Sequence, residues 1–365
     1  MHVVLIFALW FLAAEVIVTA VGFLLRKRTV KPAQRGLLIV GKALLAILCA
    51  FLVLAGPVQL RAVQPLMMAL YAALLADVLA DVLCSVFLAV RKKERHFSAV
   101  REAGLVFGVL FFVFGVVNMQ TVTPQYHTYT SEKLDRQHTI VFIADLHVGS
   151  AQPFSVTEKT IAEVRDLHPD ATILGGDIVD DYTTKEEMKA TVRLFADFET
   201  PVYYIYGNHD RQGHAEYAGG RKFTQAELEA AMTENGVSVL RDAFAEIAPD
   251  LLLLGREDLS EGENRADVQS LQNPAPEKYL IVADHQPAAF KENLSVGTDL
   301  QLSGHTHAGQ LFPLGVFYRL IGYAYGDYTE GGAVMNVSAG ACGWRMPLRT
   351  EAGCHYEVIS LLPAE

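Results

Sequence analysis

The sequence Leu302-Ser303-Gly304-His305-Thr306-His307-Ala308-Gly309-Gln310 places two histidines two positions apart, with a glycine close on each side. In an extended segment residues i and i+2 point to the same side, so we expect both imidazoles to reach one small volume. Glycine lets the backbone turn and approach closely without a Cβ clash. The apolar residues Leu300 and Leu302 indicate the end of a buried strand. On its own, this pattern also fits a turn with two solvated histidines.

Four other apolar runs of the chain end in the same way, in side chains that bind metals. These runs are Thr139–Ile143, Ala171–Leu174, Val202–Tyr206 and Tyr279–Val282, and they lead respectively to Asp145 and His147, to Asp177, to Asn208, His209 and Asp210, and to His285. Runs of β-branched and aromatic residues bounded by glycine and aspartate predict buried strands.

The segments between these runs have helical spacing of their apolar residues. They are Val156–Leu167, Lys185–Phe198 and Thr224–Asn235, and Gly236 is placed to end the last of them. Alternating strands and helices predict an α/β layered sandwich. Because such folds bind ligands beyond the carboxyl ends of their strands, all five polar clusters fall where a site is expected.

The candidate ligands combine carboxylates, imidazoles and one carboxamide, without a thiolate. They are Asp145, His147, Asp177, Asn208, His209, His285, His305 and His307. This set suits manganese, iron or zinc at a catalytic site rather than a structural cysteine–zinc site. It is large enough for two adjacent metals, and Asp177 follows two glycines that let it approach and bridge them. Any one residue alone fits a capping or core role equally well, but five clusters at five strand ends favour metal binding.

The first 120 residues are apolar and basic, whereas the rest of the chain is acidic. Four apolar segments, Val3–Leu25, Gly36–Gly56, Leu66–Val90 and Ala103–Val117, predict four transmembrane helices. The basic loops that follow the first and third segments predict, by the positive-inside rule, a multi-pass protein of the cytoplasmic membrane with an extracytoplasmic catalytic domain. The expected organisation is a membrane domain at 1–120, a connector at 121–137 and a catalytic domain at 138–365.

Other features of the sequence leave alternatives open. The acids Asp77 and Asp81 share one helical face, and they fit either a functional role or a structural one, in which they pair with one another, with Lys42 or with a hydroxyl at a helix interface. Cys342 and Cys354 are expected as free thiols rather than a disulfide. The acidity of the second part of the chain argues against binding of nucleic acid, whose phosphates require a basic surface.

Taken in order, Asp145-x-His147, Gly176-Asp177, the run 207–210 of sequence Gly-Asn-His-Asp, His285 and the run 304–307 of sequence Gly-His-Thr-His resemble the calcineurin-like metallophosphoesterases. The resemblance covers nearly all of residues 138–361, and it implies a layered αββα sandwich. The segments Asn336–Gly340 and Pro347–Arg349 resemble the bacterial membrane-associated branch of that family. Ala308 stands where the family pattern usually has glycine, and we expect its methyl group to tighten the turn slightly.

The resemblance also implies a role for each candidate residue. Asp145, His147 and His307 would hold one metal, Asn208, His285 and His305 would hold the second, and Asp177 would bridge both. His209 would act near the leaving-group oxygen as an acid or transition-state stabiliser, oriented by Asp210. The cofactors would be two divalent ions, with manganese the first choice and iron or zinc the alternatives. Such a pair lowers the pKa of a bridging water and clamps the phosphoryl oxygens for in-line attack.

The predicted function is a membrane-anchored, metal-dependent phosphoesterase that cleaves phosphomonoesters or phosphodiesters by attack of a metal-bridging hydroxide. A lipid-linked or envelope-linked ester is one option for the substrate, and no protein partner can be inferred. One alternative is a cytoplasm-facing pyrophosphatase of a nucleotide-linked lipid of the UDP-diacylglucosamine type, against which the loop charges argue. Another is a sensory module that binds metal without turnover. Four residues between His209 and His285 are expected to line the site: Arg211, His214, Tyr217 and Glu257.

Overall fold

The computed structural model of this chain describes residues 32–55, 64–91 and 110–364. The chain divides into two compact units, Met1–Val117 and Asn118–Glu365. In the first unit, helix α1 spans Pro32–Ala55 and helix α2 spans Gln64–Arg91. Residues 110–120 are also helical.

The two long helices of the first unit are joined by an ion pair. Lys42 of α1 contacts the carboxylate of Asp77 and lies 3.2 Å from Oδ2 of Asp81, both in α2. Asp81 is buried. Of the alternatives for these acids, the structure therefore shows the pairing with Lys42.

The prediction of four transmembrane helices is wrong. Within the described ranges, no helix combines the length and the apolar character that a membrane crossing requires. The prediction counted the lengths of the apolar runs and gave too little weight to the charges of Lys42, Asp77 and Asp81 inside α1 and α2, which are costly to bury in hydrocarbon. The predicted multi-pass localisation rested on those helices and is wrong as well, and the predicted extracytoplasmic position of the catalytic domain loses its support. The predicted segment Val3–Leu25 lies outside the described residues, as do residues 103–109 of the predicted segment Ala103–Val117.

The second unit contains twelve strands in two mixed sheets. The first sheet has the strand order β1-β12-β2-β3-β4-β5 and the second has the order β10-β11-β9-β8-β7-β6. The strands are β1 Val122–Ser131, β2 His138–Ile143, β3 Ala171–Leu174, β4 Val202–Tyr204, β5 Val237–Val239, β6 Ala243–Ala248, β7 Leu251–Gly255, β8 Tyr279–Ala283, β9 Leu300–Ser303, β10 Gly326–Glu330, β11 Ala333–Val337 and β12 Cys354–Pro363. Strand β1 lies in the segment that was predicted to be a connector.

The helices of the second unit are short and lie between the strands in sequence. They are α3 Phe154–Asp166, α4 Lys185–Arg193, α5 Gln225–Glu234, α6 Phe290–Asn293 and α7 Leu314–Ile321. Helix α5 begins with a capping box between Thr224 and Glu227. Gly236 follows its end with a φ of +78°, as expected for a glycine at this position.

Two hydrophobic layers hold the second unit together. One lies between the sheets and joins residues such as Phe142 and Ile173 of the first sheet to Leu253 and Ile281 of the second. The other packs helices α3, α4 and α5 against the outer face of the first sheet. Strands β2, β3, β7 and β8 are buried on both faces, and most of their residues are apolar for this reason. The mixed α/β architecture of the prediction is therefore observed.

The neighbouring strands β2, β3 and β4 run parallel, as do β7, β8 and β9 in the second sheet. Each of the five predicted strands occurs within two residues of its expected bounds. The loops that leave the carboxyl ends of parallel strands emerge at one edge of a sheet, and here they carry all the candidate metal ligands.

Candidate metal centre

Two groups of potential ligands form at this edge of the second unit. Asp145, His147 and His307 offer ligand atoms that all lie within 4.8 Å of one another, and Asp177, His285 and His305 form a second group of the same kind. The first group takes its members from the loops after β2 and β9, and the second from the loops after β3, β8 and β9. The fold thus brings together six side chains from four different loops.

Asp177 lies between the two groups. Its Oδ2 atom is 3.1 Å from Nε2 of His285 in its own group and 3.6 Å from Nε2 of His147 in the other. One carboxylate oxygen is therefore within reach of both groups, which fits the bridging position. A Cβ atom at Gly176 would lie 2.7 Å from both the His285 ring and the backbone N of Gly207, so only glycine allows Asp177 this close approach.

Some of the donor atoms in the site lack protein partners, which is the test of whether a metal pair fits here. Nε2 of His147 and Oδ1 of Asn208 are buried, and no described residue offers them an aligned hydrogen bond. Buried polar atoms are normally satisfied, so unpaired ones beside carboxylates are what a cation-binding site requires. A set of imidazole, carboxylate and carboxamide donors suits divalent transition metals.

In three of the histidines of the site, the Nδ1 atom contacts an acceptor of the protein. Nδ1 of His147 lies 3.3 Å from Oδ2 of Asp180, Nδ1 of His285 lies 2.8 Å from the Gly175 carbonyl, and Nδ1 of His307 lies 3.1 Å from the Cys342 carbonyl. A carbonyl accepts only from a protonated nitrogen, so Nδ1 of His285 and of His307 carries a proton, and Nε2 is the nitrogen that lies towards the carboxylates of the site. This arrangement orients a histidine for metal binding.

The ligand loops are not extended, contrary to the expectation for the two His-x-His-like pairs. Asp145, His147, Asp177, His305 and His307 all have φ between +40° and +71°. As a result, His305 and His307 join different groups instead of one small volume. Non-glycine residues rarely adopt this conformation, and its clustering here marks a site where the fold imposes strain.

The strained loops are fixed by hydrogen bonds between elements. The carboxylate of Asp145 accepts the backbone N–H of His305 at 3.1 Å, which ties the loop after β2 to the loop after β9. Asp210 accepts the backbone N–H groups of Asp177 at 2.8 Å and Gly207 at 2.7 Å. These contacts position the ligands before any metal binds.

Burial controls the protonation of the two histidines of the β9 loop. Burial, together with the neighbouring His285, lowers the pKa of His305 to about 4. Burial and the neighbouring His147 hold the pKa of His307 well below its usual range. Both imidazoles are therefore neutral near neutral pH, the form that binds metal.

His209 lies beside the two groups but belongs to neither. Its ring centroid is 5.6 Å from that of His147 and 5.0 Å from that of Trp344. Its Nδ1 lies 2.9 Å from Oδ2 of Asp181, whereas the predicted partner Asp210 accepts only the backbone N–H groups described above and that of Val179. Sequence reasoning missed Asp181, although a carboxylate four residues after Asp177 was a usable signal.

Arg211 and Glu257, which were expected to line the site, bind each other instead. Nη2 of Arg211 donates to Oε2 of Glu257 at 2.7 Å, and the guanidinium lies 3.7 Å from the centre of the Tyr206 ring. Glu257 is buried and also accepts from Arg241. His214 does reach the site, with its ring centroid 6.0 Å from that of His209. The side chain of Tyr217 lies outside what the structure describes.

A buried arginine supports the His307 side of the centre, and it carried no functional prediction. The side chain of Arg349 is fully buried, and it donates to the carbonyls of His307 at 3.0 Å and Cys342 at 2.9 Å. The second of these carbonyls also orients the His307 ring. Cys342 and Cys354 near it are free thiols, as expected.

Comparison with known proteins agrees with this geometry. The family model of calcineurin-like phosphoesterases matches residues 138–309. An uncharacterized metallophosphoesterase of Helicobacter pylori strain J99 is 30% identical over 242 residues, which cover 64% of this chain and 62% of that protein. The uncharacterized metallophosphoesterase YkuE of Bacillus subtilis is 29% identical over 241 residues, which cover 61% of this chain and 78% of that protein.

The chain thus spans less than two thirds of the length of the Helicobacter relative. A crystal structure of a dimetal phosphatase from Danio rerio covers 56% of this chain and 88% of its own length, with 11% identity and a TM-score of 0.38, too low for further argument. The matched region 138–309 contains every predicted metal ligand, from Asp145 to His307. The chain carries a calcineurin-like phosphoesterase domain at residues 138–309.

Proposed function

We propose that the second unit is a dimetal phosphoesterase that hydrolyses phosphomonoesters or phosphodiesters. The observation that carries the proposal is the position of Asp177 between two three-residue groups, beside the buried Nε2 of His147 and Oδ1 of Asn208, which have no aligned hydrogen-bond partner among the described residues. Asp145, His147 and His307 would hold one ion, and Asn208, His285 and His305 the other, with Asp177 shared. Manganese is the first choice, and iron and zinc are the alternatives.

When bound, two divalent ions supply charge for the phosphoryl oxygens and lower the pKa of a coordinated water. The protein's own residues do the rest. His209 is held by Asp181 through Nδ1, which leaves its Nε2 to hold or donate a proton at the leaving-group oxygen. The packing of the His209 ring against Trp344 limits the rotation of the imidazole. The acidic character of the chain, with a net charge of −11, supports a small or neutral-surfaced substrate rather than nucleic acid.

The test is turnover by the full chain after chelation and controlled addition of metal. We expect hydrolysis of p-nitrophenyl phosphate or bis-p-nitrophenyl phosphate to vanish with chelation and to return with Mn²⁺. The variant His209→Ala should retain metal and lose at least tenfold in kcat, since it removes the proton donor and no ligand. Hydrolysis that is indifferent to chelation would contradict the proposal, as would full activity of His209→Ala.

A further inference from the structure

An apolar helix lies exposed next to the metal centre. Among the described residues from 118 onward, seven large apolar side chains are exposed, and five of them lie within residues 312–321. Four belong to α7, where Val316, Phe317, Leu320 and Ile321 expose 47%, 42%, 76% and 84% of their surface. Isolated exposed apolar residues are ordinary, but a contiguous patch of this kind marks an interaction site.

Both ends of α7 are attached to the loop that carries His305 and His307. At the start of the helix, Gly315 packs against the carbonyl of Ala308 and the backbone of Gly309 so closely that neither glycine admits a Cβ atom. After the helix, the carbonyl of Ala324 accepts the hydroxyl of Thr306 in a short hydrogen bond. An eight-residue helix is about 12 Å long, so the whole patch stays close to the metal centre.

The polar groups around the patch identify its partner. Arg319 is the one charged residue of α7, and its guanidinium lies 4.3 Å from the centre of the Tyr325 ring. Tyr318, Tyr323 and Tyr325 are half-buried at the edge of the patch. Aliphatic and phenylalanine side chains bordered by arginine and tyrosine are typical of helices that lie at a lipid interface. The positive charge of Arg319 beside this apolar surface suits an anionic amphiphile.

We infer that α7 binds the hydrocarbon chain of a lipid phosphoester whose phosphate is processed at the adjacent metal centre. This inference rests on the proposed function and names its substrate class. A flexible hydrocarbon chain binds to apolar surface without requiring a pocket of complementary shape. The highly exposed side chains of Leu320 and Ile321 offer such a surface. The same contact would place the ester next to His305 and His307, since α7 and these residues are parts of one packed unit.

The test compares two diesters that share a leaving group and differ in chain length, p-nitrophenyl ethyl phosphate and p-nitrophenyl dodecyl phosphate, below the micelle concentration of the latter. The enzyme is the full chain loaded with Mn²⁺. We expect kcat/KM to be at least tenfold higher for the dodecyl ester, and the double variant Leu320→Ser, Ile321→Ser to bring this ratio close to one. The matched control, Tyr126→Ser with Leu167→Ser, removes exposed apolar side chains elsewhere and should keep the wild-type ratio.

Binding is measured separately, because it does not depend on turnover. The Kd of dodecyl phosphate by calorimetry should be at least tenfold lower than that of ethyl phosphate, and the double variant should lose this difference. If the ethyl ester is turned over, and if kcat/KM and Kd are the same for both chain lengths, the inference is overturned and the proposed function still stands. If neither these esters nor p-nitrophenyl phosphate is turned over, the proposed function is contradicted, and the two Kd values still decide on α7. A wild-type dimer that the double variant turns into a monomer would assign the helix to a protein interface instead.

Discussion

Replacement of Arg349 by methionine tests how the protein shapes the His307 side of the centre. Arg349 is fully buried, and no carboxylate is among its hydrogen-bond partners, which are the carbonyls of His307, Ala339, Cys342 and Ala352, with Gly340 at 3.4 Å. Methionine fills much of the same volume but donates none of these hydrogen bonds.

The size of the effect follows from two opposing quantities. Each hydrogen bond from the charged guanidinium to a carbonyl contributes about 1.5–3 kcal/mol, and the loss of four of them gives a gross loss of roughly 6–12 kcal/mol. Removal of a buried charge returns several kcal/mol of desolvation free energy. We expect a net loss of about 3–5 kcal/mol in the free energy of unfolding of the second unit, together with weaker metal binding at the His307 group.

The assay is urea unfolding followed by circular dichroism, with metal affinity measured by calorimetry on the folded protein. Arg136→Met is the control, since Arg136 lies on the surface, 57% exposed, in an ion pair with Asp170. Such a pair contributes little, so the control should change stability by less than about 1 kcal/mol. A loss below about 1 kcal/mol for Arg349→Met, with unchanged metal affinity, would refute the reasoning.

Two further predictions concern single carboxylates. Asp181→Asn should lower kcat at least tenfold and leave the metal content unchanged, because Asp181 holds the His209 ring and binds no metal. A kinetic assay together with metal analysis of the variant checks this. A loss of metal from the variant would contradict it. Burial raises the pKa of Glu357, but hydrogen bonds from His127 and His355 outweigh burial and lower it to about 2, from an ordinary value of 4.5. Because the folded-state pKa is the lower one, the stabilisation is complete above pH 4.5 and is lost as pH falls towards 2; it amounts to roughly 3 kcal/mol. Glu357→Gln should therefore unfold with a weaker pH dependence in that window, measured by urea titration at several pH values, and an unchanged dependence would refute the assignment.

The sequence predicts the strand ends of the second unit well because of how the strands are buried. Runs such as Thr139–Ile143 and Tyr279–Val282 are apolar on both faces, and the polar residues that follow them stand out. The topology of parallel strands then brings these residues to one edge. Neither step requires knowledge of long-range contacts, which is why the candidate ligands could be named in advance.

Other features depend on contacts that local patterns do not encode. The His305 and His307 side chains separate because both residues adopt left-handed φ values, which the packing of the surrounding loops imposes. The contact between Asp181 and His209 joins two loops 28 positions apart. The membrane prediction failed for a different reason, since the length of an apolar run outweighed the charges of Lys42, Asp77 and Asp81 within it.

The number of metal ions bound per chain tests the central claim most directly. The full chain, stripped by chelation, reloaded with Mn²⁺ and freed of excess metal, is analysed by inductively coupled plasma mass spectrometry beside the variant Asp177→Asn. Two groups that share Asp177 predict about two ions per wild-type chain and at most one in the variant. Fewer than two ions in the wild type, or two ions retained by Asp177→Asn, would contradict the account of the metal centre.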